Sequence, residues 1–207
     1  MSLVLDHVEV FVHQTRLLCA DISIAPGETL TVMGPSGSGK STLLNFVAGF
    51  LEPPFTAKGR VVLNGHDVTH TPPESRKIGI LFQDPVLFPH LCVGENLLFG
   101  LRSRVGAKRN DIVADALGLI GLDGFARRDP ATLSGGQQAR VALMRALLAR
   151  PDAVLLDEPF SKLDAALRGD MRELTAQALA DAMLPAILVT HDAADANAFC
   201  GDILDLS

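Results

Sequence analysis

The 207 residues suffice for one domain with an inserted subdomain, burying roughly 70% of the unfolded surface. A formal net charge of −6 argues against a nucleic-acid partner, because gripping a phosphate backbone needs a basic face. No apolar run approaches the roughly 20 residues that cross a bilayer, and Cys19, Cys92 and Cys200 are too scattered for a metal site and fit a reducing cytoplasm.

Leu3 to Val12 alternates as a strand interrupted by Asp6, His7 and Glu9, with nothing resembling a signal peptide. Short strands are expected from Leu3 to Leu30 and from Gly59 to Leu63, with turns at Ala25-Pro26-Gly27 and Asn64-Gly65. They suggest an antiparallel sheet flanking a nucleotide core. Thr29 to Met33 is an apolar strand feeding Gly34-Pro35-Ser36-Gly37-Ser38-Gly39-Lys40-Ser41-Thr42, which fits G-x-x-x-x-G-K-[ST] in full. Leu43, Leu44, Phe46 and Val47 leave it as a helix. This is a cradle for a nucleoside triphosphate with Mg²⁺: the glycines let successive N–H groups turn onto phosphate oxygens, and the helix N-terminus adds its positive end. Lys40 would reach the β- and γ-phosphates, and the Ser41 hydroxyl would complete the metal site. A mere Gly/Ser-rich turn would not place Lys40 and Ser41 in register.

Glu52-Pro-Pro and Thr71-Pro-Pro mark loops. Ile78 to Phe82 is a second apolar strand whose end delivers Gln83 to the ligand edge, beside metal and water, although an isolated Gln is more often a surface hydrogen-bonder. From Val86 to Asp129 the pattern turns helical, with Asn110-Asp111 opening Ile112 to Leu119. Arg102, Arg104, Lys108 and Arg109 read as a solvated face of that segment. In Leu133-Ser134-Gly135-Gly136-Gln137-Gln138-Ala139-Arg140, Ser134 and Gln137 have capping-box spacing before the apolar Val141 to Leu148. Two glycines after a cap cost roughly 1 kcal/mol each, which suggests bare backbone meant for close approach by a ligand.

Ala153 to Leu156 is a short buried strand delivering Asp157 and Glu158 where ligands bind in open α/β sheets. Adjacent carboxylates on a strand point apart, so Asp157 can support Mg²⁺ while Glu158 polarises water. Ala186 to Thr190 is a further strand, followed by His191 and by Asp192 as N-cap of the last helix. A lone His at such a place is usually structural, and His191, like Gln83, draws its interest from lying just after an apolar strand.

Together these segments resemble the nucleotide-binding subunit of an ABC transporter across essentially the whole chain. The resemblance implies a P-loop NTPase (RecA-like) α/β fold over residues 1–207. It has a mainly parallel sheet, a flanking antiparallel β subdomain and an inserted helical subdomain at about 86–130. It makes Gly34 to Thr42 the Walker A motif, Gln83 the Q-loop, Ser134 to Gln137 the signature, Ala153 to Glu158 Walker B, Ser161-Lys-Leu-Asp164 the D-loop and His191 the switch histidine. It implies ATP and Mg²⁺ as ligands, with Ser41, Gln83 and Asp157 around the metal and Glu158, His191, Lys40 and Gln83 as the catalytic set. A homodimer is implied in which each copy's Ser134, Gly135, Gly136 and Gln137 close over ATP held by the other. The implied partners are transmembrane permease subunits and, for an importer, a periplasmic or surface solute-binding protein. The implied location is cytoplasmic, peripheral on the inner face of the cell membrane.

The segment Leu81 to Asn96 resembles the Q-loop region of importer subunits serving thiamine, iron(III), molybdate, sulfate or polyamine systems, and the similarity leans toward a thiamine-like or uncharacterised uptake system. There Phe88, Pro89 and Leu91 would line a groove for the permease, or else belong to the helical core. The family's usual adenine-stacking aromatic falls at His13, with Phe11 nearby, in a chain without Tyr or Trp. Lys162 stands in the D-loop where many relatives carry Ala, and an end at Ser207 leaves no room for a C-terminal regulatory domain. The alternatives are an exporter subunit or an ABC-type mechanical ATPase. DNA-repair relatives of the latter kind separate Walker A from the signature with long coiled coils, whereas here about ninety residues without sustained heptads intervene, and translation-type relatives usually carry two cassettes in one chain, whereas this has one. A small-molecule kinase would have no use for the Leu133-to-Gln137 string.

Overall fold

The computed structural model describes residues 1–101 and 108–206. Arg102 and Arg104 lie outside them, while Lys108 and Arg109 are exposed at the start of a helix. The chain divides into two compact units, one formed by Met1–Ile80, Asp152–Glu158 and Ala176–Ser207, the other by Leu81–Pro151 and Pro159–Thr175. The stretch 86–130 falls within the second.

In the first unit, strands β1 (Leu3–Val12) and β2 (Thr15–Ile24) form a hairpin extended by β4 (Phe55–Leu63) and β5 (His66–Asp67) into an antiparallel sheet ordered β2-β1-β4-β5. The interruption at Asp6-His7 is a bulge: buried positions run Leu3 and Leu5, then Val8 and Val10, and the register shifts between Leu5 and Val8. One extra residue thus keeps Leu3, Leu5, Val8 and Val10 on the same face. The sequence under-read β4, which begins four residues before Gly59.

The second sheet of this unit is ordered β6-β7-β8-β3-β9, from β3 (Thr29–Met33), β6 (Ile78–Leu81), β7 (Ala153–Asp157), β8 (Ala186–Val189) and β9 (Ile203–Asp205). The pairs β3/β8, β7/β8 and β3/β9 are parallel. Residues 29–32, 153–156 and 186–189 are buried without interruption, as expected where both faces of a parallel sheet are covered. Strand β9 went unread because only Ile203 and Leu204 are apolar in its three residues. The register aligns Asp157 with Val189 and Val32 with Val189, so the Gly34 loop, Glu158 and His191 all leave the sheet at one edge.

Helix α1 (Lys40–Ala48) follows β3, and α6 (Ala193–Phe199) follows β8. The second unit is helical, with α2 (Val93–Phe99), α3 (Arg109–Leu119), α4 (Gly135–Leu148) and the beginning of α5 (Ala165–Asp181). Its core gathers Val93 and Leu97 of α2, Val113, Ala116 and Leu117 of α3, and Val141 and Met144 of α4. Spacings of three and four place each set on one helical face. Each large side chain so buried stabilises by about 1.5–3 kcal/mol.

Candidate functional site

The loop between β3 and α1 owes its shape to left-handed backbone at Gly34, Gly37 and Gly39, with φ of 148°, 82° and 95°. At Gly37 a Cβ would meet nothing within 4 Å, so backbone conformation alone demands glycine there. At Gly39 a Cβ would come 3.2 Å from both Leu17 and Leu18. The loop therefore rests against β2, four residues beyond His13. The loop folds on itself through Ser38 N–H to the Pro35 carbonyl at 3.3 Å, and α1 opens with Leu43 N–H to the Gly39 carbonyl at 2.8 Å. Pro35, Ser36 and Gly37 are exposed, Thr42 half-buried. Lys40 is buried, its ammonium donating to the carbonyls of Gly34 at 2.8 Å and Pro35 at 2.7 Å. A cation is thus stored beneath a loop whose amides sit at a helix N-terminus, which suits an anion of high charge.

Across the sheet edge, Ser41 Oγ donates to Asp157 Oδ1 at 3.2 Å. Burial pushes the Asp157 carboxyl above its ordinary pKa, partly offset by the Ser41 hydrogen bond and nearby Lys40. Two hard oxygen donors this close, one of them a poorly solvated carboxylate, fit Mg²⁺. Glu158 follows with φ of 45°, a left-handed conformation that costs a non-glycine residue about 1–3 kcal/mol and concentrates at functional sites. Its N–H donates to the Val189 carbonyl at 2.9 Å, and its Oε1 lies 3.3 Å from His191 Nδ1. His191 is 64% exposed against 28% for Glu158, so the imidazole meets solvent while the carboxylate is sheltered. The His191 turn is held by Thr190 Oγ1 donating to buried Asp195 at 2.5 Å, and by Asp192, which caps α6 by accepting from Ala194 N–H at 2.8 Å. Asp192 was legible in the sequence, whereas Asp195 was not singled out.

His13 sits exposed in the two-residue turn of the β1–β2 hairpin, and the Phe11 ring lies beneath the Lys58 ammonium at 5.3 Å.

The second unit holds the remaining sequence-predicted residues. Ser134 is the N-cap of α4: its Oγ accepts from Gln137 N–H at 3.3 Å, and Gln137 Oε1 accepts from Ser134 N–H at 3.0 Å. The two glycines then part company. Beside Gly135 there is open space, as ligand approach requires. At Gly136 a Cβ would fall 1.9 Å from Leu167 Cδ2, so the close approach there is made by this chain's own α5. Gln83 Nε2 donates to Ser161 Oγ at 3.1 Å. Asp164 Oδ1 accepts from Leu167 N–H at 3.0 Å at the start of α5. Pro89 is exposed, Phe88 and Leu91 half-buried. The larger exposed apolar groups near them are Phe82, Val86 and Phe99, none of which sequence reasoning singled out.

Two further residues were missed. Asn96 is fully buried and accepts from Phe88 N–H at 2.8 Å while donating to the Phe88, Leu91 and Cys92 carbonyls at 3.1 Å each. Arg145 of α4 lies over the Phe88 ring at 5.2 Å and donates to the Val86 carbonyl at 3.0 Å. A buried Asn inside an apolar helix, at Gly94-Glu95-Asn96-Leu97, was the available signal.

Residues 18–161 match the family model described as ABC transporter. The chain belongs to the ABC transporter family. It is 44% identical over 207 residues, 99% of the chain and 95% of the relative, to an uncharacterized ABC transporter ATP-binding protein, YnjD, of Escherichia coli K12. It is 46% identical over 189 residues, 90% of the chain and 81% of the relative, to the thiamine import ATP-binding protein ThiQ of a Jannaschia species. Among solved structures it superposes with a TM-score of 0.78 on the ATP-binding cassette MJ0796, described as a dimer in a post-hydrolysis state bound to ADP and Pi. That match has 30% identity and covers all of this chain and 94% of the other. Among the described residues, no helix is long and apolar enough to cross a membrane.

Proposed function

We propose that this chain is the ATP-hydrolysing subunit of a bacterial importer, working as a head-to-tail homodimer beneath separate permease subunits on the inner face of the cell membrane. The observation that carries the reading is the meeting, at one sheet edge, of the Gly34–Thr42 cradle, the Ser41–Asp157 pair and the Glu158–His191 pair. Import rather than export is supported by kinship with a thiamine import subunit.

The backbone amides from Gly34 to Thr42 hold the triphosphate, and Lys40 leaves the Gly34 and Pro35 carbonyls to reach its β- and γ-oxygens. His13 or Phe11 offers the base a flat face. Ser41 and Asp157, with Gln83, are the residues that would hold Mg²⁺, which neutralises phosphate charge when bound. Glu158 accepts a proton from the attacking water, and its left-handed backbone fixes where that carboxylate points. His191 donates to a γ-phosphate oxygen. Gly135, with Ser134 and Gln137, is presented to nucleotide held by the other copy, while Gly136 lets α4 seat against Leu167. Phosphoryl transfer depends on positioning and charge stabilisation, so a site completed only when two copies meet ties hydrolysis to closure.

Glu158→Gln keeps the side chain's shape and removes the base. ATP binding should persist, turnover should fall roughly 10²–10⁴-fold, and sizing chromatography with Mg-ATP should give a dimer. A monomer under those conditions, or turnover retained, overturns the reading.

A further inference from the structure

Within the second unit, two consecutive residues of one loop meet two consecutive residues of another in the same direction. Gln83 Nε2 donates to Ser161 Oγ at 3.1 Å, and Lys162 Nζ donates to Asp84 Oδ1 at 2.5 Å. The loops are not packed together by apolar side chains alone, because a cavity of about 170 Å³ is lined by Gln83, Asp84 and Lys162 together with Phe82, Pro159 and Leu163. Polar links bridge that space. Each loop is anchored on its far side. The segment after Asp84 is tied to α2 and α4 by Asn96 and Arg145, and the segment after Ser161 is tied to α5 by the Asp164 cap and by Arg168 Nη2 donating to the Leu163 carbonyl at 3.0 Å.

We infer that Lys162 is a positioning residue: with Asp84 it latches the 161–164 loop to the Gln83 loop, so that a displacement of one is carried to the other. The pair cannot be there for stability. Its side chains are 52% and 68% exposed, and such ion pairs contribute about 0–1 kcal/mol. What it adds is a second point of attachment beside Gln83–Ser161; one bond lets two loops pivot, whereas two bonds in register do not. The inference rests on the proposed function only in supposing that these loops matter to hydrolysis.

The test compares Asp84→Ala, Lys162→Ala, both together, and the exchanged pair Asp84→Lys with Lys162→Asp. Each single change should lower kcat for ATP about three-fold with KM unchanged, the double should be no worse than either, and the exchange should restore most of the rate. Raising salt to about 0.5 M should bring the unaltered protein toward the single variants, since an exposed pair is screened. Amide exchange should rise together in residues 82–85 and 160–164 in each single variant, at unchanged melting temperature. Additive losses, unaltered kcat, or exchange rising only in the mutated loop overturns the latch. If the unaltered protein hydrolyses no ATP, the proposed function fails, and the paired exchange response still decides the latch.

Discussion

Arg76 is the residue whose loss should cost most outside the site itself. It is 5% exposed, and its guanidinium donates to four backbone carbonyls: Thr71 at 2.7 Å, Phe46 at 2.9 Å, Val47 at 2.7 Å and Thr69 at 2.6 Å. Phe46 and Val47 are in the last turn of α1, so the cation sits at the negative end of the helix whose other end opens the phosphate cradle. Hydrogen bonds to a charged group are worth about 1.5–3 kcal/mol each, but the four cannot be summed. Burial also lowers the Arg76 pKa, which shows that the charge is held at a cost that mutation would remove. Stripping one partner from a buried charged arrangement costs about 3–5 kcal/mol. Arg76→Met keeps the aliphatic stem and removes every donor, so it should fall in that range. For a domain of this size it should lower the melting temperature by about 6–20 °C. Arg76→Lys, with three donors and no fork, should lose roughly half as much. The control is Arg16→Ala, which breaks the surface pair with Glu9 and should change stability by less than about 1 kcal/mol. Calorimetric melts of the three variants, with amide exchange at residues 46–50, provide the check. If Arg76→Met melts within about 2 °C of the unaltered protein, the assignment of Arg76 as a structural cap is wrong.

Asp157→Asn should raise the thermal stability of the Mg²⁺-free protein at pH 7 while weakening Mg²⁺-dependent ATP binding. The Asp157 pKa is raised by burial, so the folded state holds its proton more tightly and loses stability as pH rises through the carboxylate range. The advantage of Asn should shrink as pH falls into that range, and melts showing Asn less stable at pH 7 would refute the argument. Gly135→Ala should leave stability within about 0.5 kcal/mol, as befits an open helix start, yet reduce ATPase activity at least ten-fold. Gly136→Ala should instead displace the Leu167 side chain, whose atoms are the nearest to the added Cβ, at a net cost of about 1 kcal/mol or less because Ala also favours the helix, and urea titrations should read it. Asn96→Ala should cost about 2–4 kcal/mol by removing the side-chain partner of the Phe88 N–H and of the Leu91 carbonyl, while the Phe88 and Cys92 carbonyls keep their backbone donors, and exchange should rise across residues 86–92. Protection of 86–92 unchanged in that variant would show that the loop is held otherwise.

Contiguous patterns were legible in both units. The loop between β3 and α1 announces itself because glycine spacing, Lys40 and the flanking apolar runs are all contiguous, and Ser134 with Gln137 is legible because a capping box spans only four residues. Residues whose meaning depends on distant partners were not legible. Arg76 looks like an ordinary surface cation after Thr71-Pro-Pro until α1, thirty residues earlier, ends against it. Lys162 is a departure from a motif until Asp84, 78 residues away, meets it. The same limit explains Gly136, because nothing in a pair of adjacent glycines tells which makes room for a ligand and which for Leu167.

Strain and burial meet at Glu158. Strand β7 is buried from Ala153 to Leu156, so its hydrogen bonds to β8 continue through Glu158 N–H to the Val189 carbonyl. The strand ends at Asp157, and Glu158 is the residue at which the chain bends. That residue takes the left-handed backbone, φ 45°. A glycine there would relieve about 1–3 kcal/mol of strain and lose the carboxylate. Retaining Glu at the turn, with its Oε1 beside His191, is what a catalytic base would require and a structural turn would not.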